Sequence, residues 1–220
     1  MGAITRSFAN NITTSGVFTS SAFNNASFDN VSSLSSATIQ SGQLVLISTQ
    51  NASSVSSVEF TSGIDSTYKE YMFIWNDVHP TTDAQSFQFN MSDDGGSTYA
   101  VSKTTTSWVS YNNEGDDSFS FSYYGSQDMA SSTAFQTLNM NIGSDADQSG
   151  CGILRLFEPS ATTLHKKFLV ESHEAYESDY AIRRHFSGYG DTASAVNAIK
   201  FQIASGVFSG TIQLFGVKTS

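Results

Sequence analysis

Residues 198–217 read AIKFQIASGVFSGTIQLFGV, and apolar residues alternate with polar ones on both sides of a Ser-Gly turn. Successive side chains of a β-strand point to opposite faces of the sheet. Two sets of residues therefore each share a face of their strand: Ile199, Phe201 and Ile203 before the turn, and Ile212, Leu214 and Gly216 after it. The stretch predicts a β-hairpin with one face in a hydrophobic core.

The same alternation continues through the chain from about residue 43. It predicts twelve strands, separated by Gly, Asn and Asp clusters: 44–48, 55–61, 68–78, 86–92, 99–106, 118–124, 135–142, 151–157, 167–173, 180–187, 198–204 and 211–218. Short strands at near-regular spacing indicate an all-β protein. We expect a jelly-roll-like antiparallel β-sandwich, because this number of strands fits two stacked sheets. Other Greek-key orders stay open.

Residues 1–40 have a different composition, rich in Ser, Thr and Asn, with only two charged residues and no Tyr or Trp. Large apolar residues nevertheless recur along this segment: Phe8, Phe18, Phe23, Phe28 and Leu34. Disordered tails are usually poor in aromatic residues. We therefore predict an extended N-terminal arm over residues 1–40 that docks on a partner through these side chains, followed by a sandwich domain over residues 41–220.

The composition limits the classes of function. The 17 Phe, 9 Tyr and 2 Trp of the 220 residues can fill one large core. Charged residues make up only 14% of the chain, against about 25% on average, and Ser and Thr replace them in a way that suits packing against other subunits. The net charge of −10 argues against nucleic-acid binding, which needs Lys and Arg to displace counterions.

The single cysteine excludes an intramolecular disulfide. Cys151 lies between glycines in an apolar run, so we expect it to be a small buried residue. The chain starts without an apolar signal-peptide segment and has no run of about 18 apolar residues. We expect synthesis in a cytoplasm and no association with a membrane.

The octapeptide SDDGGSTY, residues 92–99, resembles the Asp-box of sialidases and other β proteins. The Asp94 carboxylate can accept hydrogen bonds from turn amides, Gly96 can take a positive φ, and Tyr99 can begin the return strand. We interpret this segment as a structural hairpin turn formed by Ser92, Asp94, Gly96, Thr98 and Tyr99. Sialidases carry several such boxes and an arginine triad, which this chain lacks.

Motifs for catalysis and for metals are weak. Acidic residues in predicted loops could bind Ca²⁺ or remain solvated: Asp83, Asp93, Asp94, Asp116, Asp117, Asp145 and Asp147. Zinc-protease, serine-hydrolase and phosphate-loop patterns are missing. A pair of glycosidase carboxylates stays open as an alternative. We predict no catalytic residue, no metal site and no cofactor, and we do not expect an enzyme.

Two groups of side chains suggest binding surfaces. Lys166-Lys167 and Arg183-Arg184 lie on predicted strands, where neighbours point to opposite faces, so each doublet offers one side chain to a basic patch or to solvent. Aromatic residues along the predicted sandwich could include a platform for sugar rings, although most are expected in the core or at its rim: Trp75, Trp108, Tyr111, Tyr123, Tyr124, Tyr176, Tyr180 and Tyr189.

Three segments resemble small virion proteins of tailed bacteriophages: DSTYKEYMFIWNDVHP (65–80) with FQFNMSDDGGSTY (87–99), GTIQLFGV (210–217), and the polar arm ahead of them. The resemblance implies a non-enzymatic virion structural protein, made in the host bacterial cytoplasm and displayed as a capsid decoration or cement protein, or as a fibre. It also implies a homotrimer in contact with other virion proteins. No residue role carries over. The alternative is a receptor-binding tail-fibre module that binds a host surface glycan.

Overall fold

The computed structural model describes residues 43–218, which are dominated by β-strands. The twelve strands are β1 (Leu44–Val55), β2 (Ser57–Phe60), β3 (Glu70–Pro80), β4 (Gln85–Ser92), β5 (Lys103–Asn113), β6 (Phe119–Tyr123), β7 (Gln136–Ile142), β8 (Gly150–Phe157), β9 (Lys166–Tyr176), β10 (Tyr180–Gly190), β11 (Ala198–Ile203) and β12 (Phe208–Val217). Every predicted strand has a counterpart among them. Helix is limited in this part of the chain to a single 3-10 turn at Gly125–Gln127.

The strands pair in the nested antiparallel order of a jelly roll. β1 pairs with β12, β2 with β11, β3 with β8, and β4 with β7. Because β12 also pairs with β3 and β11 with β4, the core consists of two four-stranded sheets, β1-β12-β3-β8 and β2-β11-β4-β7. This arrangement confirms the predicted all-β, jelly-roll-like antiparallel sandwich.

Two inserted hairpins enlarge the first sheet. β5–β6 is inserted between β4 and β7, and β9–β10 is inserted between β8 and β11. β9 pairs with β8 and β10, and β10 pairs with β5, so the larger sheet runs β1-β12-β3-β8-β9-β10-β5-β6. A bridge between Ile142 of β7 and Tyr176 of β9 links the two sheets and nearly closes them.

The core between the two sheets is built from aromatic side chains. Phe73 and Trp75 of β3 face Phe87 of β4 and Phe201 of β11, and all four are fully buried. The Phe87 and Phe201 rings stack with centroids 5.7 Å apart, while Phe201 meets Phe73 at 5.5 Å. Tilted and stacked aromatic pairs of this kind add to the hydrophobic stabilisation of a core.

The prediction that residues 198–217 form a β-hairpin is wrong, although the residues predicted to face the core do so. Ile199, Phe201, Ile212 and Leu214 are all fully buried, as the alternation requires. However, β11 pairs with β2 and β4, whereas β12 pairs with β1 and β3. The turn therefore crosses from one sheet to the other, and the two apolar faces meet across the core instead of lying side by side.

The predicted hairpin around residues 92–99 also needs correction. The chain does reverse here, and the Val101 amide donates to the Met91 carbonyl at 3.3 Å. The strand that follows begins at Lys103, not at Tyr99, and it pairs with β10 and β6 instead of β4. The turn thus connects strands that are not neighbours, because β4 is already flanked by β11 and β7.

Cys151 is exposed, not buried as its glycine neighbours suggested. It is the second residue of β8, and the alternation of that strand points it away from the core that Leu154 and Leu156 enter. The predicted arm, with Phe8, Phe18, Phe23, Phe28 and Leu34, lies outside the described residues. Within residues 43–218, no helix is long and apolar enough to span a membrane.

Candidate functional site: a tyrosine-lined cleft

The inserted hairpins create a cleft where the large sheet extends beyond the small one. Its walls come from the inward faces of β5 and β10, the β9–β10 turn, Met140 of β7 and the segment after β6. The cavity measures about 410 Å³, which is within the range of small-molecule sites. The lining residues are Val109, Tyr111, Ser118, Tyr124, Met140, Tyr176, Ser178, Tyr180, Ile182 and Arg184.

Four tyrosines, all partly exposed, form most of the aromatic wall. The rings of Tyr111 and Tyr176 both meet Tyr180 edge to face, with centroids 5.7 Å and 6.0 Å away. Register explains the grouping, because Tyr180 pairs with Tyr176 across the β9–β10 turn. Tyr124 enters from the segment between β6 and β7. The sequence flagged all four as aromatic candidates, and the structure brings them together.

Arg184, which forms the floor of the cleft, belongs to a buried ion pair. The Arg184 side chain is 4% exposed, and its Nε donates to Oε1 of the fully buried Glu174 at 2.5 Å. The Arg184 guanidinium also lies over the Tyr124 ring, 5.4 Å from its centroid. Burial raises the pKa of the Glu174 carboxyl, while Arg184 and a hydrogen bond from Asn139 oppose the rise.

The ion pair is tied to the core by a chain of hydrogen bonds. Trp75 Nε1 donates to Asn139 Oδ1 at 2.8 Å, and Asn139 Nδ2 donates to Glu174 Oε2 at 2.9 Å. Glu174 is thereby satisfied on both oxygens. Arg184 is not, because its buried Nη1 has no hydrogen-bond partner among the described residues. A buried donor without an acceptor costs about 1–3 kcal/mol, and more when it is charged.

The other aromatic candidates lie elsewhere. Trp75 is fully buried in the core. Trp108 and Tyr123 are opposite each other on β5 and β6, on the outer face of the large sheet, where Trp108 stacks on His185 with ring centroids 6.0 Å apart. Tyr189 stacks on His165 at 4.8 Å. These four residues therefore do not belong to the cleft.

The outer edge of the large sheet carries a second aromatic surface. Phe119, Phe121 and Tyr123 point to one face of β6 and are 71%, 75% and 66% exposed. Among the described residues, β6 pairs only with β5, so its other backbone edge is unpaired. We call Phe119, Phe121 and Tyr123 the β6 aromatic edge. Exposed apolar side chains beside an unpaired strand edge favour contact with another protein surface.

The turn at residues 92–99 is stabilised by its own side chains. Asp94 accepts hydrogen bonds from Ser92 Oγ at 2.6 Å and from the Thr98 amide and hydroxyl at 2.9 Å and 2.7 Å. These bonds, with that of Ser92 foremost, lower the pKa of Asp94 to about 2. Gly96 has φ of +90°, and the half-buried Tyr99 ring lies 5.6 Å from Lys200 Nζ. Ser92, Asp94, Gly96 and Thr98 thus form a hydrogen-bonded turn, which Tyr99 follows with a buried hydroxyl that has no partner among the described residues.

Several of the loop aspartates accept hydrogen bonds from neighbouring loops and turns. Asp83 accepts from the Ser144 amide, and Asp116 and Asp117 accept from the side chains of Asn112 and Asn113. Within residues 43–218, no group of three or more His, Cys, Asp or Glu side chains is arranged to hold a metal ion. The tyrosine-lined cleft has no carboxylate on its wall, so it does not present the carboxylate pair of a glycosidase.

The basic doublets divide between the two faces, as their strand positions require. Lys166 and Arg184 are buried, while Lys167 and Arg183 are exposed, and Arg183 pairs with Glu171. The sequence indicated this alternation but gave no sign that Arg184 would meet Glu174. That contact depends on the register between β9 and β10, which places Arg184 of one strand diagonally across from Glu174 of the other.

Comparison with known proteins identifies no relative of this chain. No protein-family model matches the chain, and no curated protein or solved structure matches it significantly. The chemistry of the cleft therefore rests on its own residues: an aromatic wall, two serines and a buried arginine with an unpaired donor.

Proposed function

We propose that the chain is a non-enzymatic structural protein of a tailed-bacteriophage virion, displayed on the particle as a capsid decoration or cement protein, or as a fibre. The sandwich is the displayed part, and it assembles as a homotrimer. The sequence resemblance supports this assignment, since it lies largely in strands β3, β4 and β12, which belong to the conserved pairing pattern of a jelly roll. Jelly rolls are a common architecture of viral capsid domains.

The observation that carries the proposal is the apolar character of both edges of the large sheet. At one end, β6 exposes Phe119, Phe121 and Tyr123. At the other end, β1 exposes Leu44 and Leu46, which are 45% and 52% accessible. Both sets point to the outer face, because each row of paired residues across the sheet shares one face.

Two different apolar edges on one sheet suit head-to-tail association of identical chains. In such an interface the β1 edge of one copy meets the β6 edge of the next, and the contact is heterologous. A heterologous contact closes into a ring when the rotation between copies permits it, and three copies make the trimer that we propose. The low content of charged residues reduces the repulsion between such surfaces.

The location and copy number of the protein on purified particles test the proposal. Immunogold labelling should place it on the outer surface of the particle, and quantitative mass spectrometry should give a copy number that is a multiple of three. Many copies over the head would identify a decoration protein, and a few at the tail would identify a fibre. Absence from purified particles would refute the assignment to a virion.

A further inference from the structure

We propose that the tyrosine-lined cleft is a binding site for a neutral saccharide, with a hydroxyl or carbonyl oxygen of the sugar accepting a hydrogen bond from Arg184 Nη1. The proposal goes beyond the structural role, because it assigns a ligand to a cleft that the subunit edges do not use. It rests on the cleft alone and holds whether the protein is a head or a tail component.

The aromatic wall supplies the apolar half of such a site. Tyr111, Tyr176 and Tyr180 hold one another in edge-to-face contacts, so their orientation is fixed before a ligand arrives. Tyrosine combines an apolar ring with a hydroxyl group and has few rotatable bonds, which keeps the entropy lost on binding small. The apolar C–H face of a pyranose can pack on such rings while its hydroxyls meet the tyrosine and serine oxygens.

The floor of the cleft supplies a hydrogen-bond donor that has no acceptor. Arg184 lines the cleft, and its buried Nη1 has no hydrogen-bond partner among the described residues, whereas Nε of the same guanidinium is paired with Glu174. The Tyr124 ring beneath the guanidinium, together with Glu174, limits the positions that Arg184 can take. A ligand oxygen that accepts from Nη1 would remove the penalty of an unpaired buried donor.

The charges around the cleft favour a neutral ligand over an acidic one. Glu174 already compensates the charge of Arg184, the only basic residue on the lining. Acidic Glu177 and Asp179 belong to the β9–β10 turn that forms one wall, and the whole chain carries a net charge of −10. A uronic acid or other anionic sugar would therefore meet net repulsion, while hydroxyl and acetamido oxygens would not.

The proposal is tested with the full-length protein on an array of purified bacterial O-antigens and capsular polysaccharides, both neutral and acidic. We expect binding to a subset of the neutral polysaccharides, measured again in solution by titration calorimetry. Tyr180→Ala should weaken the affinity at least about tenfold, because it removes one of the rings on which the apolar face of a pyranose packs. Tyr189→Ala is the matched control, since Tyr189 lies on the same strand outside the cleft.

Arg184 is not the first choice for substitution, because its loss would leave Glu174 buried without its charged partner and strongly destabilise the fold. If Tyr180→Ala fails to fold, Tyr111→Ala takes its place, and it should lose affinity in the same way. The proposal would be overturned if the protein bound no polysaccharide on the array or bound only acidic ones. Equal affinity of the cleft variant and the Tyr189→Ala control would overturn it as well. None of these results bears on whether the protein is found on the particle, which is measured separately.

Discussion

At the scale of single residues, buried polar groups decide the chemistry of this protein. Lys103 is fully buried at the start of β5 and donates to Asn90 Oδ1 at 2.5 Å and to the Val101 carbonyl at 3.0 Å. Both acceptors are uncharged, so desolvation dominates and lowers the pKa of Lys103 to about 7. Glu174 and Arg184, by contrast, are buried as a pair and compensate each other.

Lys103 should make the stability of the domain depend on pH. Its pKa falls from the usual 10.5 to about 7 on folding, so between these values the unfolded chain binds more protons than the folded one. The free energy of unfolding should therefore rise with pH in this window, by up to about 1.4 kcal/mol per pH unit. Lys103→Met should remove this contribution, as measured by urea denaturation between about pH 7 and pH 9.

Lys69→Met is the matched control for this experiment, because the Lys69 side chain is 66% exposed and pairs with Glu158 at the surface. It should retain the slope of the wild-type protein. A Lys103→Met variant with the same slope as wild type would show that the buried lysine does not titrate in this range.

At the scale of elements, the inserted hairpins are what distinguish this molecule from a bare jelly roll. β9–β10 and β5–β6 double the width of one sheet from four strands to eight. The inner face of the extension is partly covered by the segment between β6 and β7, in which Asp128 accepts a hydrogen bond from Ser107 of β5. The start of β7 covers it too, because Gln136 accepts a hydrogen bond from Thr105 of β5. The uncovered remainder is the tyrosine-lined cleft. The two insertions together thus produce the cleft, and β5–β6 also carries the β6 aromatic edge.

The β6 aromatic edge should hold the oligomer together. Phe121→Lys should convert the trimer to a monomer, because a charge on an edge strand opposes strand-to-strand contact. Leu46→Lys on the opposite edge should have the same effect. Size-exclusion chromatography with light scattering gives the mass, and Leu164→Lys is the control, since Leu164 is 55% exposed away from both edges.

Mixing the two edge variants distinguishes a head-to-tail interface from a symmetric one. Phe121→Lys retains an intact β1 edge and Leu46→Lys an intact β6 edge, so a mixture should form dimers through one good contact. If β6 instead met β6, Leu46→Lys alone would remain fully assembled. A wild-type protein that is monomeric at working concentrations would contradict the proposed interface altogether.

At the scale of the whole molecule, the described residues build two four-stranded core sheets. The nested strand pairs and the aromatic core all belong to residues 43–218. Among the described residues, β1 is an edge strand that begins at Leu44. The domain should therefore fold alone, and the arm should act in attachment.

Deleting residues 2–40 should abolish incorporation into particles while leaving the melting temperature of the domain unchanged. Differential scanning calorimetry and mass spectrometry of purified particles measure the two effects. A milder variant replaces Phe8, Phe18, Phe23, Phe28 and Leu34 with Ser in the full chain, and it should lose incorporation in the same way. Normal incorporation of the deletion variant would show that the sandwich itself attaches to the particle.

The cleft could be predicted only in part from the sequence. Tyr111, Tyr124, Tyr176 and Tyr180 stood out as aromatic residues that could face a sugar, yet so did Trp75, which lies in the core. Composition gives no means to separate them. Lys103 and the pair of Arg184 and Glu174 gave no local signal either, because a charged residue in an alternating strand looks the same whether it faces water or a buried partner.

The sequence by itself determined the number of strands, the approximate position of each and the alternation of side chains between two faces. Those properties are local, since side chains alternate with a period of two residues along every strand. Only the tertiary structure decided which strands are neighbours. β11 and β12 are consecutive and equally apolar, yet they lie in different sheets, because burying two apolar faces against each other across a core satisfies both. The cleft follows from that long-range pairing, which alternation does not encode.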